Sequence, residues 1–195
     1  LKNIKLCYMK GIVNMGKIKE LKYYDVQKVG TIKELLEIAV EQAGDKIAFK
    51  YKDEKGKVID VTYKEFQKDT FELGTALNSI NMADKHIAVI GENSYKWVTV
   101  YLTVLKSKGV IVPIDKELPV CDIINVLNDS DSEVLFYAKK YEKNIDEIAE
   151  KAPNVKYFIG FSTEKTEGNR LSYNEFKAEG KKLYEGGDKT YAEMI

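Results

Sequence analysis

The chain has 195 residues, enough for one sizeable domain or one domain with an appendage. Hydrophobic residues make up 44% and charged residues 32%, which is the balance of an ordinary globular protein, not of a disordered or membrane-embedded one. Lys+Arg and Asp+Glu both number 31, and Arg170 is the single arginine, so the chain lacks both the basic excess of a nucleic-acid binder and the guanidinium groups of a multi-arginine phosphate clamp.

Residues 1–25 form an N-terminal extension. Its opening, LKNIKLCYMKGIVNMG, is basic and mildly apolar, but Lys5, Lys10 and Asn14 interrupt it, so it makes a poor signal peptide. Leu1 at the first position reads as a processed or trimmed start, with Met15 as a candidate natural one. No apolar run reaches the ~18 residues of a membrane span. Cys7 and Cys121 lie far apart without metal-ligand spacing and read as reduced thiols, so the expected location is cytoplasmic.

Thr31-Ile-Lys-Glu34 is a capping box, in which the Thr hydroxyl accepts from the third amide and the Glu reaches back. Leu35, Leu36, Ala39, Val40 and Ala43 then share one helical face, and Gly44 stops a surface helix over 32–43. IAFKY (47–51) and VIDVT (58–62) flank a polar turn and predict a β-hairpin. A second capping box, Thr62-Tyr-Lys-Glu65, opens a helix over 63–80 with the stripe Phe66, Thr70, Leu73, Leu77, Ile80. HIAVI (86–90) predicts a short buried strand, and Gly91-Glu92-Asn93 turns the chain so that Ser94 can cap the next segment.

The segment from Tyr95 to Lys106 is rich in β-branched residues, which favours a strand by propensity. Its length, and the shared face of Trp97, Val98, Tyr101, Leu102 and Leu105, favour a buried helix. VIVPI (110–114) is the next strand, ending at Pro113 as strand ends allow. Pro119 starts a helix with Val120, Ile123, Ile124 and Leu127 on its apolar face. A strand over 133–137, a helix over roughly 138–151, a strand over 156–160 and a polar loop over 162–169 come after it. Ser172-Tyr-Asn-Glu175 reads as a third cap, for a helix to about Tyr184, and the Gly-rich tail from Glu185 as a surface connector. From residue 86 onward strand and helix alternate, so the fold class is α/β, a largely parallel sheet with flanking helices, preceded by a helix and a β-hairpin.

These segments carry a resemblance. VTYKEF (61–66) looks like the first core motif of the adenylate-forming, or AMP-binding, enzymes, and LKSKGVIVPID (105–115) looks like their second. GENSYKW (91–97) is similar to the turn before that second motif, and VLNDSDSEVLF (126–136) to the helix and strand after it. One six-residue motif alone would be weak, since LSYNEF (171–176) matches it equally well, but four elements occur in order. The likeness runs from about 31 to 185 and is closest to the long-chain fatty acyl-CoA synthetases. It implies the N-terminal subdomain of their fold, with residues 26–185 as a partial domain and 186–195 as a connector toward a missing remainder.

The resemblance also implies chemistry. In that family a carboxylate attacks the α-phosphate of ATP, releasing pyrophosphate, and a thiol such as coenzyme A then displaces AMP from the acyl-adenylate. ATP, Mg²⁺, CoA and a fatty acid are implied for an intact enzyme, with none expected to bind tightly here. The Gly/Ser/Thr-rich phosphate loop that such chemistry requires does not occur in these 195 residues. Glu185-Gly-Gly-Asp-Lys-Thr190 lacks the Walker spacing and a leading strand, and reads as a linker. The expectation is therefore an inactive N-terminal fragment whose partners are the missing parts of the same enzyme, with a dimer through an exposed apolar face also in view. A stand-alone α/β ligand-binding module, or a non-enzymatic interaction protein from a truncated gene, stays open.

Among individual residues, Asn93, Ser94 and Tyr95 are the substrate-binding candidates, because they follow a parallel strand at the end where open α/β sheets take ligands. A turn and helix cap explains the same residues. His86 has no Ser or Cys placed to form a dyad. Asp129, Asp131 and Glu133 read as a helix-to-strand turn before a metal site. Trp97 and the tyrosines read as packing, and the Lys/Glu alternation as a solvated face. No catalytic residue and no metal ligand is assigned.

Overall fold

A computed structural model describes residues 27–53 and 55–194. The N-terminal extension up to residue 26, including Cys7, lies outside the described residues.

Helix α1 (Ile32–Ala43) is capped by Thr31, whose side chain accepts from the Glu34 amide. The Glu34 carboxylate reaches back to the Gly30 N–H at 2.7 Å, one residue earlier than the box predicts. None of its residues is fully buried, as a surface helix requires. Strands β1 (Ile47–Lys52) and β2 (Val58–Thr62) pair antiparallel with a bulge between Ile47 and Phe49. Thr62 and Glu65 complete the reciprocal capping box of α2 (Tyr63–Ser79).

The main sheet consists of β3 (His86–Ile90), β4 (Val110–Ile114), β5 (Val134–Tyr137), β6 (Tyr157–Gly160) and β7 (Arg170–Ser172), all parallel, in the order β4-β3-β5-β6-β7. Helices α3 (Tyr95–Leu105), α4 (Val120–Asp129), α5 (Ile145–Lys151) and α6 (Tyr173–Glu185) connect and follow the strands, and α7 (Thr190–Glu193) closes the chain. The α/β architecture expected from the sequence is therefore the observed one, hairpin included.

Side chains alternate across this sheet into two cores, as period-two pleating dictates. Ile87, Val89, Val134, Phe136 and Ile159 pack with Leu73 and Leu77 of α2 and Val100 and Val104 of α3. Ala88, Ile90, Leu135, Tyr137 and Phe158 face Ile123, Leu127, Ile145 and Ile148 of α4 and α5. All four residues of β5 are buried, which is why VLFY reads as a continuous apolar run and not as an alternation. Each fully buried Leu or Ile in these cores contributes about 1.5–3 kcal/mol.

Four local expectations change. α3 is a helix, but its buried residues are Thr99, Val100, Thr103 and Val104, while Trp97 and Tyr101 stack on each other on the half-buried side. Two valines fit flat against the sheet where an indole would not. The stretch expected as one helix over 138–151 is a 3₁₀ turn over Lys139–Asn144 followed by α5. Arg170–Ser172 is an edge strand too short to announce itself by alternation. Ser172 does not cap α6 with its side chain, and the Glu175 carboxylate, instead of reaching back to Ser172, accepts from the Thr166 amide at 2.9 Å.

Within the polar tail, Tyr191 is 2% exposed, and its hydroxyl donates to the Thr103 carbonyl at 2.5 Å. Lys33 of α1 donates to the carbonyls of Ala192 and Met194. The tail is thus tied to α1 and α3. Lys189 donates to the Tyr184 carbonyl and lies over the Tyr184 ring, so the Gly-Gly stretch ends in intramolecular packing. Between α2 and α3, Lys106 is 4% exposed, donates to Thr70 Oγ1 at 2.8 Å and sits over the Phe71 ring. Burial lowers its pKa to about 8.

Candidate functional site

The strand order reverses between β3 and β5: from β3 the chain moves out through α3 to β4, then returns through α4 to the other side of β3. In an open parallel sheet such a switch point leaves a crevice at the carboxyl ends of the strands, because the two connections diverge to opposite faces. An open cleft of about 710 Å³ lies there. Its walls come from the segments after β3 (Ser94, Tyr95, Lys96), after β5 (Ala138, Lys139) and after β6 (Phe161, Ser162), and from the start of α6 (Tyr173). The hairpin adds Tyr51 and Lys52 on the outside. Gly91, at φ +155°, ends β3 where a Cβ would stand 2.7 Å from that of Ala138, so glycine lets the β3 and β5 ends approach.

The floor is built from aromatic rings and one ion-pair cluster. Tyr51 and Tyr95 stack with centroids 5.1 Å apart, and Phe49 and Phe66 pack around Tyr95. The Asp69 carboxylate accepts from the Tyr95 hydroxyl at 2.8 Å and from the Lys177 ammonium at 2.5 Å. Lys177 also meets Glu72, itself 4% exposed, at 3.2 Å. Asp69 of α2 thereby joins the first residue of α3 to α6. Lys96 donates to the Phe161 carbonyl at 2.5 Å and lies 5.2 Å from the centroid of the Tyr173 ring.

Burial, and after it the negative charge of Asp69, raise the phenol pKa values of Tyr51, Tyr95 and Tyr173, so all three stay protonated donors near neutrality. The Glu92 carboxyl is lowered, first by a hydrogen bond from its own backbone and further by Lys140. The arrangement can hold a small polar ligand against aromatic rings; nothing in it forms a nucleophile–base pair.

Of the three residues singled out in sequence, Ser94 and Tyr95 line the cleft and Asn93, exposed in the turn, does not. Ser94 also caps α3, its side chain accepting from the Trp97 amide at 3.2 Å. Asp69, Glu72 and Lys177 disappear in sequence into the solvated Lys/Glu pattern, and Tyr51 and Tyr173 into general packing. The one available signal is position: Asp69 flanks the apolar stripe of α2, three residues after Phe66. His86 begins β3 with Nδ1 2.6 Å from the Ser130 carbonyl, a structural contact. Asp131 takes a left-handed φ of 50° in the turn and Glu133 pairs with Lys156, while among the described residues no cluster of three His, Cys, Asp or Glu offers a metal site. Among those residues no helix is long and apolar enough to cross a membrane.

Comparison with known proteins gives three kinds of likeness. A family model described as AMP-binding enzyme matches residues 36–187. One of the subunits of the mycosubtilin synthase of Bacillus subtilis is 31% identical over 109 residues, which is 55% of this chain and 4% of that protein. The anthranilate CoA ligase AuaEII, solved in complex with anthranoyl-AMP, superposes with a TM-score of 0.69 at 18% identity, over 80% of this chain and 29% of that one. A putative long-chain-fatty-acid CoA ligase from Rhodopseudomonas palustris gives 0.66 at 15% identity, over 75% and 36%. The A-PCP didomain of carboxylic acid reductase from Segniliparus rugosus, in complex with AMP, gives 0.60 at 18%, over 83% and 25%. At these identities the solved structures show a shared fold, and the chain spans about a third of their length or less.

Proposed function

Since this chain belongs to the AMP-binding enzyme family, matched over residues 36–187, we propose that it is the opening part of an ATP-dependent acid–thiol ligase. The observation that carries this reading is the cleft at the β3–β5 switch point, which stands where an open α/β sheet takes its ligand. In the proposed reaction a fatty acid carboxylate attacks the α-phosphate of ATP, pyrophosphate leaves, and the sulfur of coenzyme A displaces AMP to give the thioester. A long-chain acid is favoured by the motif likeness at 61–66 and 105–115, and a cytoplasmic setting by two cysteines, Cys7 and Cys121, far apart in sequence and without metal-ligand spacing.

The residues here would supply a wall and not the chemistry. Ser94 and Tyr95 form the cleft edge, and Asn93 the turn that precedes it. Lysines and two helix N-termini beside the cleft suit a phosphate-bearing reactant, but no acidic cluster suits Mg²⁺ among the described residues, so no step is assigned through it. Residues 26–185 form the partial adenylate-forming domain, and 186–195 lead toward its remainder. The apolar side chains left exposed on α1, Ile32 and Leu35, and Val110 on the edge strand would pack against that remainder.

The test is ATP–pyrophosphate exchange with a panel of fatty acids. The longer protein containing this segment should catalyse it, and the 195-residue chain should not. Exchange by the short chain above background, or its absence from the longer protein with every acid tried, would overturn the proposal.

A further inference from the structure

α1 packs on α2 and α3, yet none of its residues is fully buried and Ile32 and Leu35 stay exposed. A helix this short is marginal in water without tertiary support. The other end of the chain supplies that support. The Lys33 ammonium donates to the carbonyl of Ala192 at 2.8 Å and to that of Met194 at 3.2 Å. Both carbonyls belong to a strap, residues 188–194, which leaves α6 through Gly186 and Gly187 (φ +106°) and packs over α2. One side chain anchors the strap. Tyr191 is buried, its ring occupies the place of a Gly74 side chain edge-on to Phe71, and its hydroxyl holds the Thr103 carbonyl.

The groups packed beside α1 and the strap are ones that burial penalises. The Lys106 ammonium is sequestered over the Phe71 ring, and Glu37 and Lys33 of α1 act on it in opposite senses. The hydroxyls of Thr75, next to Gly74, and of Thr103 are buried and make no hydrogen bond among the described residues. Closure therefore gains the burial of Tyr191 and the bonds of Lys33, while opening returns water to an ammonium and to two hydroxyls. Opposed contributions of this kind let a segment open at less cost than the whole chain.

We propose that α1 and the strap form one clamp, closed by Tyr191 and Lys33, that opens as a unit while the sheet stays folded and uncovers Lys106. The clamp seats on the C-terminal end of α3, the helix whose first residues wall the cleft. Lys106 is then open to an acylating electrophile only in the open state.

The experiment is amide hydrogen exchange of the 195-residue chain, read residue by residue by NMR, with parallel acetylation by N-acetoxysuccinimide, in which the lysine amine displaces N-hydroxysuccinimide. Two conservative variants probe the clamp. Lys33→Met keeps an apolar stem and deletes the bonds to the strap, and Tyr191→Phe keeps the ring and deletes the bond to Thr103. In each, exchange should rise about tenfold both in α1 and at the Glu193 and Met194 amides of the strap. Acetylation of Lys106 should rise with it, while β5, buried along its whole length, keeps the parent rate. Tyr191→Phe changes no charge near Lys106, so labelling there reports opening alone. No rise, a rise confined to the mutated element, Lys106 labelling unchanged, or β5 exchange rising in step with α1 would overturn the clamp.

Discussion

Asp69 and Tyr95 are 26 residues apart in sequence and 2.8 Å apart in the fold, the phenol of the first residue of α3 donating to a carboxylate on α2. Lys177 of α6 holds the other carboxylate oxygen at 2.5 Å. One side chain thus ties together the two helices whose N-termini open on the cleft.

Removing the phenol alone should be mild. Tyr95→Phe deletes one hydrogen bond to a charged group and leaves Asp69 with Lys177, so denaturant unfolding should show a loss of about 1–2 kcal/mol. Asp69→Ala strands the phenol and leaves the ammonium with Glu72 alone, and should cost more, about 2–4 kcal/mol. Equal losses for the two variants would mean that the lysine contact contributes nothing.

Gly180 marks the closest approach of α6 to α2. A Cβ there would stand 2.0 Å from the Glu72 carbonyl oxygen and 2.7 Å from the Ala76 Cβ. Backbone cannot swing aside as a side chain does, so Gly180→Ala should destabilise by about 3 kcal/mol despite the better helix propensity of alanine. A thermal melt unchanged from the parent would contradict the crossing.

Lys106 predicts a pH effect of definite sign. Its pKa falls from 10.5 to about 8 on folding, because burial penalises the ammonium. The unfolded chain therefore binds a proton that the native chain has released between those values, and stability should rise with pH through that window. The cost of the buried charge is fully present below about pH 8. Lys106→Met should remove that slope and stabilise the chain at pH 7 by about 2 kcal/mol, since burial is the largest cause of the shift, ahead of the opposed charges of Glu37 and Lys33 on α1. Denaturation series at pH 7 and pH 9.5 on both proteins would check it.

The tail should behave as part of the fold. Tyr191 fills space over Gly74 and bonds Thr103, so Tyr191→Ala should cost about 3–5 kcal/mol, and Tyr191→Phe only about 1 kcal/mol. A chain truncated after Asp188 that melts like the parent would show instead that the tail is an appendage.

Local chemistry wrote most of the elements plainly. Thr62 and Glu65 announce a helix start, VIVPI and VLFY announce buried strands, and strand–helix alternation announces a parallel sheet, because each depends on neighbours within a few residues. What the sequence determined by itself was this succession of elements, and with it the family likeness at 61–66 and 91–115. The tertiary structure alone decided which face of α3 is buried, that Ser172 leaves α6 uncapped, and that Tyr191 is core. It also decided the site. Asp69, Lys177 and Tyr51 look like any surface acid, lysine and tyrosine along the chain. They become a cleft floor only because sheet order and the α2–α6 crossing bring residues as much as 126 positions apart (Tyr51 to Lys177) to one rim. Hydrogen bonds and ion pairs act over a few ångströms, and no pattern within one segment records which distant segment will come that close.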